Sequence, residues 1–324
     1  MSGATLSGVL HRISRPTILA PLTILCCLVV LVVVGGILAA GFAAPTNLLT
    51  LFSLSAFLGI AAIGETVVML TGGIDLSIAW TITGASIVFT GVTQGDERRL
   101  WLGLAAALGM ALAAGLANGI GVAKLRISPI IMTLGMNNVM EGLTMIYSQG
   151  TPSGTATESI RTLATGRVGA LPIIVLVWIG LAVLVSLGLH GTRGGRYLYS
   201  VGENPTVSHL SGVDNDFVLI IAYAFCGLGA GITGILFTGF STMSFLGMGD
   251  QFVLPAIAAV VLGGTSIFGG SGSYAGTFVG AAFLTVLTAV LAIVNIAVGY
   301  RSIIYGFVII AAMLLYGLYS RAPE

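Results

Sequence analysis

The segment GETVVMLTGGIDLSIAW (64–80) restricts this chain more than any other. It is apolar enough for a bilayer, yet it carries two carboxylates, Glu65 and Asp75, and the pair Gly72–Gly73. Adjacent glycines weaken a helix because each has the most backbone entropy to lose. Asp75 follows them as a candidate N-cap for a second helix starting near Leu76. The local reading is helix, break, new helix. An acid in lipid is expensive and faces the protein interior or a water-filled path. Glu65, about two turns before the break, either lines such a path or bonds to a neighbouring helix. Asp75 is open between a cap and a substrate contact.

A second stretch, LPAIAAVVLGGTSIFGGSGSYAGTFVG (254–280), repeats the pattern: apolar run, paired glycine (Gly263, Gly264), polar turn with Thr265, apolar run. Broken helices at matching places in two halves mark transporter folds. Composition agrees, since 56% of residues are apolar and 7% charged, against roughly 25% charged in soluble domains. The chain therefore reads as an all-α polytopic membrane protein. A net charge of +1 points to no nucleic acid and no acidic substrate. Cys26, Cys27 and Cys226 lie in apolar runs, with no disulfide or metal-ligand spacing.

A span needs about 20 apolar residues. Candidates are 17–40, 48–70, 76–92, 100–123, 129–147, 171–189, 217–240, 274–295 and 302–319. The first follows His11, Arg12 and Arg15 and reads as a signal anchor. Between them, 251–262 amounts to about 18 Å of helix, short of a roughly 30 Å core. It either re-enters, giving nine spans, or continues past its glycines, giving ten. With ten spans and a cytoplasmic N-terminus, Arg12, Arg15, Lys124, Arg126, Arg193, Arg196 and Arg321 lie inside. Arg98, Arg99, Arg161, Arg167 and Arg301 then lie outside. The positive-inside rule favours that arrangement, with 190–216 cytoplasmic.

Gly115/Gly119, Gly227/Gly231 and Gly276/Gly280 form GxxxG pairs that let helix backbones approach closely. GAGITG (229–234) also fits a dinucleotide fingerprint, but it lies within a span rather than between strand and helix, so packing is the reading. On the fifth span Asn137, Asn138 and Glu141 either hold helices together or wet a channel, Asn137 and Glu141 sharing a face. The charged segment 191–213 contains a short helix candidate at 206–210, opened by Pro205 and stopped by Gly212. It is either a solvated loop or a docking element. No catalytic or metal-binding set of residues is discernible. Lys124, the only lysine, sits in Ala-Lys-Leu rather than a Gly-Lys-Ser/Thr phosphate loop, so ATP hydrolysis by that route belongs to another polypeptide.

The strings TGGIDLS (71–77), SPIIMTLGM (128–136), GGRYLYSVGENP followed by LSGV, and AIAAVVLGGTSIFGGSGSYAGT (256–277) occur in one order. Together they resemble the permease subunits of bacterial ABC importers for ribose, xylose and related monosaccharides, over about residues 48–316. Two departures are visible: Ile78-Ala79-Trp80 stands where the family carries smaller, glycine-bearing residues, and Val207-Ser208 where it carries alanines. The resemblance implies one permease domain over 1–324 with ten helices and a pseudo-symmetric repeat, its halves about 48–148 and 217–320. It also implies a multi-pass place in the bacterial inner membrane, a second permease subunit, identical or homologous, two cytosolic ATPases that use the ATP, and a periplasmic sugar-binding protein. No cofactor is expected on this chain itself.

The expected path residues are Glu65, Asp75, Asn137, Asn138, Glu141, Gly263, Gly264 and Thr265. The expected ATPase-coupling residues are Gly202, Glu203, Asn204, Pro205, His209, Leu210, Ser211 and Gly212. A passive gate for a neutral sugar suits spans that lack a central Lys or Arg. The alternatives are a branched-chain amino-acid permease of the same class and an ion-coupled carrier using Glu65 and Glu141 as proton sites.

Overall fold

A computed structural model describes residues 15–297, then 299–301, 303, 304, 306, 307 and 310, with side chains from Pro21 onward. The expected last span, 302–319, and both termini fall largely or wholly outside the described residues. The fold is helical. Its elements are α1 (Arg15–Leu38), α2 (Pro45–Leu70), α3 (Ile78–Thr93), α4 (Leu100–Ala123), α5 (Pro129–Ser148), α6 (Glu158–Thr165), α7 (Ile173–Gly191), α8 (Arg193–Glu203), α9 (Pro205–Leu210), α10 (Asn215–Ser241), α11 (Val253–Leu262) and α12 (Tyr274–Ile293). A two-residue hairpin, β1 (Arg167–Val168) with β2 (Leu171–Pro172), interrupts the loop before α7.

Among the described residues, six helices are long and apolar enough to cross a membrane by length and composition. They correspond to the expected spans beginning at 17, 48, 100, 171, 217 and 274. The expected fifth span is a 20-residue helix, α5, made less apolar by Asn137, Asn138 and Glu141. Helix α3 has 16 residues and α11 only 10, both short of a full crossing. Two helices were not expected: α6, within the 149–170 loop, and α8, at the start of the charged segment.

Helix α10 is the axis of the bundle, and its glycines explain why. A methyl group added at Gly227 would lie 3.1 Å from Gly115 Cα, and one at Gly119 would lie 2.6 Å from Ile220 Cα. The GxxxG pairs of α4 and α10 thus face each other at backbone contact. On another side of α10, Gly64 of α2 abuts the Cys226 backbone, and Phe57 of α2 packs edge-on against Phe237 at 5.3 Å between ring centroids. These pairings run in opposite sequence directions, so α2 and α10 are antiparallel. The third GxxxG pair seats α12 on α11, Gly276 against Gly263 and Gly280 against Ala259. Buried Tyr274 fixes the start of α12: its hydroxyl donates to the Gly59 carbonyl at 2.8 Å and accepts from Trp178 Nε1 at 2.7 Å.

The close approach along α4 and α10 gives a direct test. Leu at Gly119 drives a side chain into the α10 backbone, so the thermal midpoint in detergent should fall by the equivalent of about 1–3 kcal/mol or more. Leu at Gly109 of the same helix, where an added methyl meets nothing within 4 Å, should leave the midpoint near wild type. Equal midpoints for the two variants would show that the α4–α10 contact does not hold the bundle.

Candidate functional site: two short helices and a glycine junction

Helix α2 ends at Leu70, and residues 71–77 fold back along its last turns. Gly72 takes φ +81°, a left-handed value that suits glycine. The return is pinned by Glu65: the Asp75 backbone N–H donates to Glu65 Oε1 at 3.2 Å. Asp75 Oδ1 accepts from Ser77 N–H at 2.9 Å, from the Ser77 hydroxyl at 2.6 Å and from Asn118 Nδ2 at 3.4 Å. The amide of Asn118 also donates to Ser77 Oγ at 2.8 Å. Asp75 therefore caps the turn ahead of α3 rather than the helix, whose N-cap is Ser77, so the helix begins two residues later than expected. Glu65 and Asp75 are 0% and 1% exposed, and Cys226 and Tyr223 of α10 lie beside them. Glu65 Oε2, Asn118 Oδ1 and Tyr223 OH are buried with no hydrogen-bond partner among the described residues.

Helix α3 thus starts inside the bundle, at the depth of Glu65, and runs towards the end where Thr90 Oγ1 meets Ser244 Oγ at 2.7 Å. The chain after α10 comes back from that end through turns and a single 3-10 turn, Asp250–Phe252. It passes α3, where Gly249 packs on Ala79 and its N–H donates to Thr83 Oγ1 at 2.9 Å. Helix α11 then runs on to its stop at Leu262. The N-termini of two short helices, running in opposite directions, consequently meet in the interior around Ala79, Thr83 and Gly249. Helix N-termini carry partial positive charge and free N–H groups, and transporters place such half-helices around their cargo.

Both glycine-rich turns also meet each other. Gly72 packs on the Phe268 carbonyl, and the Gly270 N–H donates to Leu70 O at 3.0 Å. A methyl added at Gly269 would lie 2.8 Å from Gly72 N and 2.9 Å from Gly202 Cα, and one at Gly270 would lie 2.7 Å from Glu203 Cα. Gly202 itself abuts the Leu70 carbonyl and Gly270 N. Three chain segments, 70–73, 202–203 and 268–272, are therefore in backbone contact, which side chains larger than glycine exclude. The Tyr199 hydroxyl, donating to Gly272 O at 2.9 Å, ties α8 to the same junction.

Beyond the junction lies the rest of the expected coupling segment. Asn204 caps α9, accepting from the N–H groups of Thr206 and Val207 at 3.1 Å each. Pro205 opens the helix, and Gly212, at φ +85°, ends it. Leu210 is 81% exposed and Val207 56%, so α9 presents apolar side chains outward; Glu203, His209 and Ser211 are exposed around them.

The other expected path residues do not form one cluster. Asn137 Oδ1 accepts the Trp80 N–H at 3.3 Å, which links α5 to the start of α3. Asn138 is exposed and Glu141 half-buried on the outer face of this protomer. Gly263 and Gly264 form the C-terminal turn of α11, and Thr265 is buried against Gly272, its hydroxyl without a partner among the described residues. Asn118 reads from the sequence as an interhelical hydrogen bonder, and it is one; sequence reasoning missed Ser77 and Tyr223 as members of the buried polar group. The missed signal was a phenol placed in a span otherwise built of small and apolar residues.

Asp75 is the hub of that group, so its chemistry can be separated from its charge. Asp75→Asn retains a carbonyl acceptor for Ser77, whereas Asp75→Ala leaves buried donors unpaired at about 1–3 kcal/mol each. In detergent, the thermal midpoint of the alanine variant should fall clearly below that of the asparagine variant. Identical midpoints would remove the hub from this position.

Residues 47–313 match the model of the family described as branched-chain amino acid transport system, permease component. The ribose import permease protein of Escherichia coli K12 is 36% identical over 299 residues, 90% of this chain and 92% of that protein. The ribose import permease protein of Bacillus subtilis 168 is 33% identical over 292 residues, covering 89% and 90%. The autoinducer 2 import system permease protein of Salmonella choleraesuis is 33% identical over 303 residues, covering 91% and 85%. No solved structure matches the chain.

Proposed function

This chain belongs to the branched-chain amino acid transport system permease component family, and on that premise we propose that the cargo its importer carries is a monosaccharide. It is a membrane-embedded permease subunit of an ATP-binding-cassette importer, a transport component rather than an enzyme. The observation that carries the sugar reading is the 36% identity to a ribose import permease along nine-tenths of the chain. The chemistry of the interior supports it. Apart from Glu65 and Asp75, the buried polar side chains among the described residues are hydroxyls and the Asn118 amide, with no Lys or Arg. Such groups suit a polyhydroxylated neutral solute better than a zwitterion, whose carboxylate calls for fixed positive charge. Autoinducer 2 is the second reading, on the 33% identity to its import permease.

In this proposal the chain is one domain with ten crossings and a repeat that pairs 48–148 with 217–320. The third and eighth crossings are half α-helix, half turns and irregular chain: 71–77 with α3, and 242–252 with α11. Segment 190–216 faces the cytoplasm and α9 docks on an ATPase subunit, with Val207 and Leu210 buried in the contact. A second permease copy or homologue, two ATPases that consume the ATP, and a periplasmic binding protein complete the importer. Cargo passes the facing N-termini of α3 and α11, with Asn137, Asn138 and Glu141 on the open face beside them and Gly263–Thr265 as the hinge of the second turn.

Reconstitution in liposomes with ATPase subunits and a ribose-binding protein, then with an autoinducer 2 binding protein, tests the cargo: the cognate pair should stimulate ATP hydrolysis and uptake together. Stimulation by neither, but by a branched-chain amino-acid-binding protein, would overturn the reading. In the same assay Leu210→Asp should insert normally yet lose uptake, because a carboxylate would be buried without a partner. Glu65→Gln keeps an acceptor for the Asp75 N–H, so uptake should stay within a few-fold of wild type. Its abolition at normal membrane levels would favour proton coupling at Glu65.

A further inference from the structure

The end of the bundle away from the glycine junction holds a cavity of about 430 Å³ between the last turns of α3 and α5 and the chain that follows α5. That size lies within the usual range of small-molecule pockets, about 300–1,000 Å³. Buried Ile87 lines it beside Tyr147, and Ser148, Gln149, Thr151 and Ser153 supply hydroxyls and an amide. None of its lining residues is charged.

Specific contacts shape this pocket. Gly91 makes room for Tyr147, since a methyl added there would lie 2.7 Å from the phenol oxygen. Gln94 joins the two walls: its Nε2 donates to Gly91 O at 3.0 Å and to Ser153 Oγ at 3.3 Å. Gly154, at φ +84°, seats the same loop on the Thr90 carbonyl. The Tyr147 hydroxyl and the Gln149 side-chain amide form no hydrogen bond among the described residues, so both are available to a ligand. The carboxylates that follow α3 are engaged elsewhere. Asp96 accepts the Arg98 N–H at 2.9 Å, and Glu97 accepts the Ser159 N–H at 2.6 Å and its hydroxyl at 3.0 Å. A charged ligand would therefore meet no opposite charge in the pocket. A neutral polyol meets hydroxyls, an amide and an aromatic ring suited to its C–H face.

We propose that this pocket is an entry subsite for the cargo, holding one neutral polyhydroxylated ring against Tyr147 with its hydroxyls bonded to Gln149 and Ser153. The inference rests on the monosaccharide reading above and on segment 190–216 facing the cytoplasm, which places the pocket on the outer side. Gln149 ends a row on the open face of α5, Asn138, Gly142 and Met145, all exposed and at helical spacing. A sugar held there stands at the head of the row that reaches Asn138. A few uncharged contacts make a weak site, which suits transit, because cargo must leave as readily as it enters.

The experiment uses the full-length permease in nanodiscs, without binding protein, and reads saturation-transfer NMR from the protein to D-ribose, with valine as the zwitterionic control. Wild type should transfer to D-ribose and not to valine. Tyr147→Leu should weaken the apparent affinity about ten-fold, and Gln149→Asn about five-fold, the loss expected for one neutral hydrogen bond. Residue 149 sits at φ +50°, a left-handed value that asparagine tolerates, so this variant folds with its amide withdrawn; thermal midpoints check both proteins. Ribose uptake by the importer assembled with a ribose-binding protein is measured in parallel, and both variants should slow it at saturating binding protein. Equal affinity in wild type and both variants would overturn the subsite, as would equal transfer to valine. No transfer from a wild type whose importer takes up ribose would overturn the subsite and leave the cargo reading standing. Transfer to ribose from a permease whose importer takes up only a branched-chain amino acid would overturn the entry role along with the cargo reading.

Discussion

The contact on which the rest depends is a backbone junction at which no side chain intervenes. Leu70–Gly73, Gly202–Glu203 and Phe268–Gly272 touch through main-chain atoms, and the Gly270 N–H closes the junction by donating to the Leu70 carbonyl. An acid-bearing turn, a glycine-rich turn and the segment that leads into α9 are thereby joined. A push on α9 has a short and stiff route to both places where helix gives way to turn. Close-packed interiors shift between discrete arrangements rather than deforming smoothly. Glycine serves here because even a methyl group would separate the three chains.

Both short helices connect to that junction through the turns, α3 at its start and α11 at its end. Helix α3 begins where Glu65 and Asp75 fold residues 71–77 back inside, and α11 ends where Gly263 and Gly264 release the chain into the second turn. Their N-termini meet at Ala79, Thr83 and Gly249. A displacement of the junction therefore reaches the interior from both sides. The oxygens of Glu65, Asn118 and Tyr223 that have no partner among the described residues lie beside the turn 71–77 that links the junction to α3. Buried groups of this kind are costly unless they find a partner, so the region is polar enough to accommodate water.

Much of this was legible beforehand because the physics was local. Apolar length fixed α4, α7 and α10 nearly to the residue, GxxxG spacing marked the faces of α4, α10 and α12, and Pro205 and Gly212 bounded α9. The break at Gly72–Gly73 was visible, but its outcome was not. Asp75 turned its side chain to Ser77 instead of capping a helix from Leu76, since Glu65 holds its backbone back. Helices α6 and α8 were missed because they are short and polar; each is set by a few packed positions, such as Ile160 and Ala164 of α6 beside Gly239, or Gly195 of α8 against the Leu189 carbonyl. The meeting of Gly72, Gly202 and Gly269 joins residues 67 to 197 positions apart, and no periodicity encodes it. Glu65 and Glu141, linked in the ion-coupled alternative, occupy a sealed interior and an open helix face respectively, and family membership does not favour that alternative.

The role of the junction is tested most directly by uptake per ATP hydrolysed in a reconstituted importer carrying Gly202→Ala. The added methyl group would press on the Leu70 carbonyl and on Gly270 N while leaving the exposed face of α9 intact. The expected result is a normal membrane level, normal ATPase association and continuing hydrolysis, with uptake per ATP reduced about ten-fold or more, the equivalent of roughly 1.4 kcal/mol of lost coupling. An unchanged ratio at normal protein level would contradict transmission through the junction.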